Sequence, residues 1–198
     1  MIYTPEIIEN ALSYQQYRTL IDELLLDHRT TGNDVDTAFV HYTRLNVQRM
    51  KRLDKTTTIN KEIEKRLKLI DQYFTFLIVT EGWCGDAAQT IPVINKIAEL
   101  SNGKISVRLV LRDRNLDIID AHLTNGGRAI PIVIILDKDR KEIGSWGPRP
   151  AILQQEVSEW VKDLRLTKED RIEKVHAWYA QDKTMATQSD FLELLKAL

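Results

Sequence analysis

The chain carries a single cysteine, Cys84, within Glu81-Gly82-Trp83-Cys84-Gly85-Asp86-Ala87. The segment separates a run of β-branched and aromatic residues, 73–80, from a helical pattern that begins at about Ala87. That places the Cys84 sulfur at a helix N-terminus, where free N–H groups and the helix dipole favour negative charge. An ordinary thiol is only a few per cent thiolate at pH 7, so such a position is expected to raise the reactive fraction. Gly82 and Gly85 permit a tight backbone and the close approach of another chain. Trp83, on a loop between strand and helix, argues for an exposed cysteine rather than an inert core residue. Asp86 reads first as a carboxylate in the first turn of the helix, since its charge beside a thiolate would oppose ionisation.

The elements that must position this segment fall into three regions. Residues 1–72 read as helical: Thr4 and Pro5 open an apolar stripe running from Ile7 to Leu25, a second helix spans about Val35 to Leu53, and Asn60 caps a third ending near Gln72. Residues 73–165 alternate between strand and helix. Strands are expected at 73–80, 105–111, 130–137 and 141–146, with a helix over 87–104 that contains Pro92 and a short one over 115–123. The order β-α-β-α-β-β calls for parallel crossovers first and a hairpin last. Residues 166–198 are helical again, opened by Thr167 and Asp170 as a capping box. The N-terminal and C-terminal helices are expected to pack on the core, because their apolar stripes need a partner.

Composition bounds the possible functions. The 198 residues are 43% apolar and 29% charged, with a net charge of −1, as in a soluble globular protein with a sizeable core. That balance supplies no general field for nucleic acid or an anionic membrane. No apolar run reaches the roughly 18 residues of a membrane span. The first ten residues lack the basic and apolar segments of a secretory signal. One cysteine excludes an internal disulfide, so a reducing, cytoplasmic setting is expected. His28, His41, His122 and His176 are scattered without metal-ligand spacing to Cys84, so no metal or other cofactor is expected. Arg44, Arg49, Lys51, Arg52 and Lys55 form a basic helix face without interleaved aromatics. It reads as a solvated surface rather than a nucleic-acid site.

Trp83-Cys84-Gly85-Asp86-Ala87 resembles the thioredoxin motif Trp-Cys-Gly-X-Cys, with Ala87 at the place of the second cysteine. Pro92 falls where the family kinks this helix, Arg128-Ala129-Ile130-Pro131 resembles the cis-proline segment, and Gly144 resembles the family's strand glycine. The resemblance covers about residues 73–165. It implies an α/β, three-layer fold with a mixed central sheet of four or more strands and extra helices at both ends. The helical N-terminal region and Gly147-Pro148-Arg149-Pro150 also resemble a bacterial branch of the superfamily.

By resemblance, Cys84 is the residue that attacks a disulfide and forms a mixed disulfide. Trp83, Gly85, Asp86, Ile130 and Pro131 would flank the substrate, with the backbone of Ile130 offered to it like an added strand. The departures from the family are self-consistent. Ala87 cannot resolve a mixed disulfide. The buried carboxylate that many thioredoxins keep six residues before the cysteine is here Ile78, and a lysine near it is replaced by Leu109. Peroxidase-type members place a threonine three residues before the cysteine, where this chain has Glu81. Two functions follow. In one, Cys84 exchanges with a protein or small-molecule disulfide, and an external thiol resolves the adduct. In the other, the protein is redox-inactive and holds a partner peptide in the Trp83/Pro131 cleft. A surface sulfur beside Pro131 favours exchange, and a buried one favours binding.

Overall fold

The computed structural model describes residues 2–33 and 37–198. Its centre is a four-stranded sheet built from β1 (Phe74–Thr80), β2 (Ile105–Leu111), β3 (Ile132–Leu136) and β4 (Glu142–Trp146), in the order β2-β1-β3-β4. Strand β1 is parallel to β2 and antiparallel to β3, and β3 forms an antiparallel hairpin with β4. Only the first connection is therefore a parallel crossover, where the strand order had suggested more than one. The second connection returns β3 on the far side of β1 in the opposite direction. Phe76, Leu77, Ile78 and Val79 are all fully buried. Successive strand residues point to opposite faces, so both faces of β1 are covered by helices and the fold has three layers.

The N-terminal stripe is two helices rather than one: α1 (Pro5–Asn10) and α2 (Tyr14–Leu26). Ser13 starts the second, with its side chain accepting from Gln16 N while Gln16 reaches back to Ser13 N. The break lets Leu12 exchange two backbone hydrogen bonds with Leu109, which pairs the outer edge of β2. Helix α3 (Thr37–Thr56) follows; the expected start of this helix at Val35 lies outside the described residues. Helix α4 (Lys61–Leu67) is capped by Asn60 as expected but stops short of Gln72. The chain turns there because buried Ile70 must tuck under it before Phe74 N bonds Lys104 O and begins the sheet.

Helix α5 (Gly85–Glu99) has Cys84 as its N-cap residue and carries Pro92 within it. A 3-10 turn (Arg112–Arg114) and the short α6 (Leu116–Asp120) lead to β3. The C-terminal region forms three helices, α7 (Ala151–Lys162), α8 (Lys168–Asp182) and α9 (Met185–Ala197). The Thr167–Asp170 capping box opens α8 as expected. Phe191 of α9 is fully buried against Phe76 and against Trp146, whose indole N–H donates to Asp190. Helix α3 packs along α5, so the N-terminal helices wall one side of the sequence around Cys84. No helix among the described residues is long and apolar enough to cross a membrane.

Candidate functional site

Cys84 closes the start of α5. Its sulfur accepts the backbone N–H of Ala87 at 3.5 Å and donates to the carbonyl oxygen of Ile130 at 3.2 Å. The Ile130–Pro131 bond is cis, as the resemblance implied. The sulfur is not at the surface, however. Cys84 is 7% exposed, and burial pushes its thiol up to about 12. The nearby Asp86 carboxylate pushes in the same direction, and the Ala87 N–H and Arg149 only partly oppose it. The expectations of an exposed cysteine and an enriched thiolate are both overturned. The dipole and N–H groups of the helix do act on the sulfur, but loss of water outweighs them.

Burial comes from elements distant in sequence. Trp83 stacks on Phe39 of α3 with ring centroids 4.8 Å apart, and Arg112 lies over its indole at 4.8 Å. The imidazole of His176, on α8, sits against Gly85 so closely that a Cβ built there would lie 2.7 Å from Cε1. A Cβ at Gly82 would meet Ile21 of α2 at 3.2 Å. Both glycines thus permit close approach by this chain's own helices, not by another chain. The loop is also anchored by its backbone: Gly82 N donates to Thr31 Oγ1 at 2.7 Å, and Asn46 Nδ2 donates to Gly82 O at 3.0 Å. Glu81 is fully buried, and its Oε1 accepts Asp113 N at 3.1 Å.

Asp86 is more than a helix-dipole carboxylate. Arg149 grips it with Nη2 to Oδ2 at 2.7 Å and Nε to both oxygens at 3.2 Å, while Tyr179 donates its hydroxyl to Oδ1 at 2.8 Å. The Gly147-Pro148-Arg149-Pro150 turn, with a cis bond before Pro148, supplies this arginine. Gly147 has a φ of +130° and packs where a Cβ would fall 2.2 Å from the Pro131 carbonyl oxygen, so only glycine fits.

A pocket of about 480 Å³ opens over the sulfur. Trp83, Cys84, Gly85, Asp86 and Ile130 all line it, whereas Pro131 is buried behind it. Arg49, assigned by pattern to a solvated basic face, also lines this pocket and is half-buried; Arg44, Lys51, Arg52 and Lys55 are exposed. Pattern reading missed Arg49, Arg149, His176 and Tyr179 as site residues. No periodicity reports which distant side chain reaches a given loop.

The sheet order, the cis bond beside the helix-capping thiol and the proline within α5 define a thioredoxin-like fold. The family model described as thioredoxin matches residues 32–179, and the chain belongs to that family. No curated protein matches the sequence. The chain is similar to the crystal structure of a protein of unknown function, PA1234, from Pseudomonas aeruginosa. That match has 16% identity and a TM-score of 0.66, covering 100% of this chain and 99% of the other. It is also similar to an HIV epitope scaffold at 16% identity and a TM-score of 0.62, covering 98% and 97%. Both likenesses bear on the fold alone.

Proposed function

We propose that this thioredoxin-family protein is a binding module that holds a ligand over Cys84 and does not turn over disulfides. One observation carries the reading: the Cys84 sulfur is buried and donates its proton to Ile130 O. Burial and the Asp86 carboxylate push this thiol well above its ordinary value, so almost none of it is thiolate at pH 7. The Ile130 carbonyl, which the family offers to a substrate chain, is engaged by the protein's own thiol. His176 packs closely over Gly85, the residue next to Cys84.

The second reading, single-thiol exchange, keeps one observation in its favour. Cys84 lines the pocket, so a small disulfide has a route to it. Thiolate attack would form the Cys84–ligand disulfide and release the other half as a thiol carrying the Cys84 proton. An external thiol would then regenerate Cys84.

Ala87→Cys separates the two. Ala87 lies one turn beyond Cys84 with its N–H on the sulfur, so the new thiol can close a disulfide with it. Insulin reduction by this variant, with dithiothreitol as reductant, is expected to stay within about twofold of the wild type. A gain of roughly tenfold or more, the advantage of intramolecular over bimolecular resolution, would establish exchange instead.

A further inference from the structure

The pocket over Cys84 has two kinds of wall. Val157 and Val161 of α7 and Ile172 and Val175 of α8 present aliphatic groups that are only partly covered; Val161 is 59% exposed. The charged groups around them are one-sided. Six cations line the pocket, against the single carboxylate of Asp86. Three of the arginines are already paired: Arg149 with Asp86, Arg128 with Asp120 and Arg112 with Asp113.

Of the other three, Lys168 is exposed to solvent, and Arg49 and Arg171 are different. Arg49 Nη1 donates to the neutral Asn46 Oδ1 at 2.7 Å, and Arg171 Nη1 donates to the Leu166 carbonyl at 2.9 Å. Neither has a carboxylate partner among the described residues. Arg49 is half-buried, where a guanidinium without an anion is costly. Close to it, His176 Nδ1 is buried with no hydrogen-bond partner among the described residues. A half-buried cation and an orphaned ring nitrogen beside an aliphatic wall ask for one occupant with two ends.

We propose that the pocket binds a small amphipathic anion, with its apolar body among Val157, Val161, Ile172 and Val175 and its carboxylate or phosphate held by Arg49 and Arg171. This rests on reading the pocket as a ligand site and names the chemical class it takes. Arg presents a planar fork of donors that suits either head group, and a pocket of about 480 Å³ has room for a short alkyl body. Cys84 also lines the pocket, so an anion bound there limits access to the thiol.

The test uses the full chain and four probes of one tail length: octanoate, octyl phosphate, octanol and octylamine. Affinities are measured by calorimetry, and occupancy over Cys84 by the rate of its alkylation with uncharged N-ethylmaleimide, taken where that rate does not change with low concentrations of urea and so reports the folded protein rather than its opening. Both anions are expected to bind at least tenfold more tightly than octanol and octylamine, and to slow alkylation by tenfold or more at saturation. Arg49→Gln and Arg171→Gln should each weaken the anions about tenfold and leave octanol unchanged, with far-ultraviolet circular dichroism confirming folded variants. Octanol binding as tightly as octanoate, with the same protection, overturns the anionic class while leaving a ligand site over Cys84. Anion binding without protection, equal affinity in both arginine variants, or no binding by any probe overturns the proposal. None of these results depends on insulin reduction, so the exchange question is decided separately.

Discussion

Asp86→Asn perturbs the ion pair beside Cys84 and reads out twice. The side chains of Asp86 and Arg149 are 11% and 18% exposed, so the pair is largely withdrawn from water. Removing one partner of a buried pair costs about 3–5 kcal/mol. Asparagine can still accept the Tyr179 hydroxyl through its amide oxygen, and some water reaches Arg149, so the expected loss is about 2–3 kcal/mol. Urea unfolding measures it. The same change removes a negative charge that holds the Cys84 proton and leaves Arg149 unpaired nearby. Both effects lower the thiol's pKa, by roughly one unit, which is about a tenfold gain in thiolate. Iodoacetamide alkylation reports this, provided that reaction through the folded protein is told apart from reaction through opening. The opened chain carries an ordinary thiol, so that route levels off near pH 9, whereas the folded route keeps rising toward pH 12. Near pH 10 the variant should react about ten times faster than the wild type, and the ratio should shrink toward pH 12 as both thiols ionise. Equal rates there, or a variant as stable as the wild type, would refute the account of Asp86.

The raised Cys84 pKa also predicts an alkaline slope. Above the ordinary thiol value of 9.0 the unfolded chain loses the proton and the folded one keeps it. Stability therefore falls with rising pH, by about 1 kcal/mol between pH 9 and 10, and Cys84→Ala should lack this component in urea titrations. His176 behaves oppositely at low pH. Burial, aided by Arg49 and opposed by Asp86, brings it down from 6.5 to about 4, so the unfolded chain binds a proton that the folded one refuses. Stability should fall as pH drops through that window. His176→Gln should recover roughly 1 kcal/mol at pH 4.5, discounted for the ring's solvent-facing side. Deleting residues 1–72 removes buried Tyr17, Ile21, Met50 and Ile63 and should leave a fragment without a cooperative calorimetric melt. A sharp transition in residues 73–198 alone would show the core to be self-sufficient.

Strands and motif were legible because their signals are local. The β1 residues form an unbroken apolar run, and the register that pairs Ile78 with Leu109 agrees with the expectation that both replace polar residues at one place. The break between α1 and α2 was present as Ser13 and Gln16, but a continuous apolar stripe obscured it. Exposure of Cys84 was misread because Trp83 was judged by its neighbours in sequence. What covers the pair is Phe39, 44 residues earlier, and His176, 92 residues later, as the numbering itself shows. Arg49 shows the same limit: helical periodicity put it on a basic face, and only the packing of α3 on α5 turns it toward the pocket. The Gly147–Pro150 segment stands out in the sequence only by resemblance, and nothing local pairs Arg149 with Asp86.

The departures from a dithiol site support one another physically. A resolving thiol at position 87 would need a proton acceptor beneath it, yet Ile78 and Leu109 make that place apolar and dry. A thiolate at Cys84 would face the Asp86 carboxylate, an unfavourable pair in a water-poor site. A neutral thiol does not, so Asp86 is free to serve as the partner of Arg149 and Tyr179, tying the start of α5 to the Gly147–Pro150 turn and to α8. With α8 tied there, His176 packs against Gly85 and little water reaches the sulfur, which raises its pKa further. Restoring a second cysteine alone leaves the other three features in place. A functioning redox site in this chain would also need Asp86 neutral, His176 moved and a base at Ile78, which is why the Ala87→Cys variant is expected to form its disulfide and remain a poor reductase.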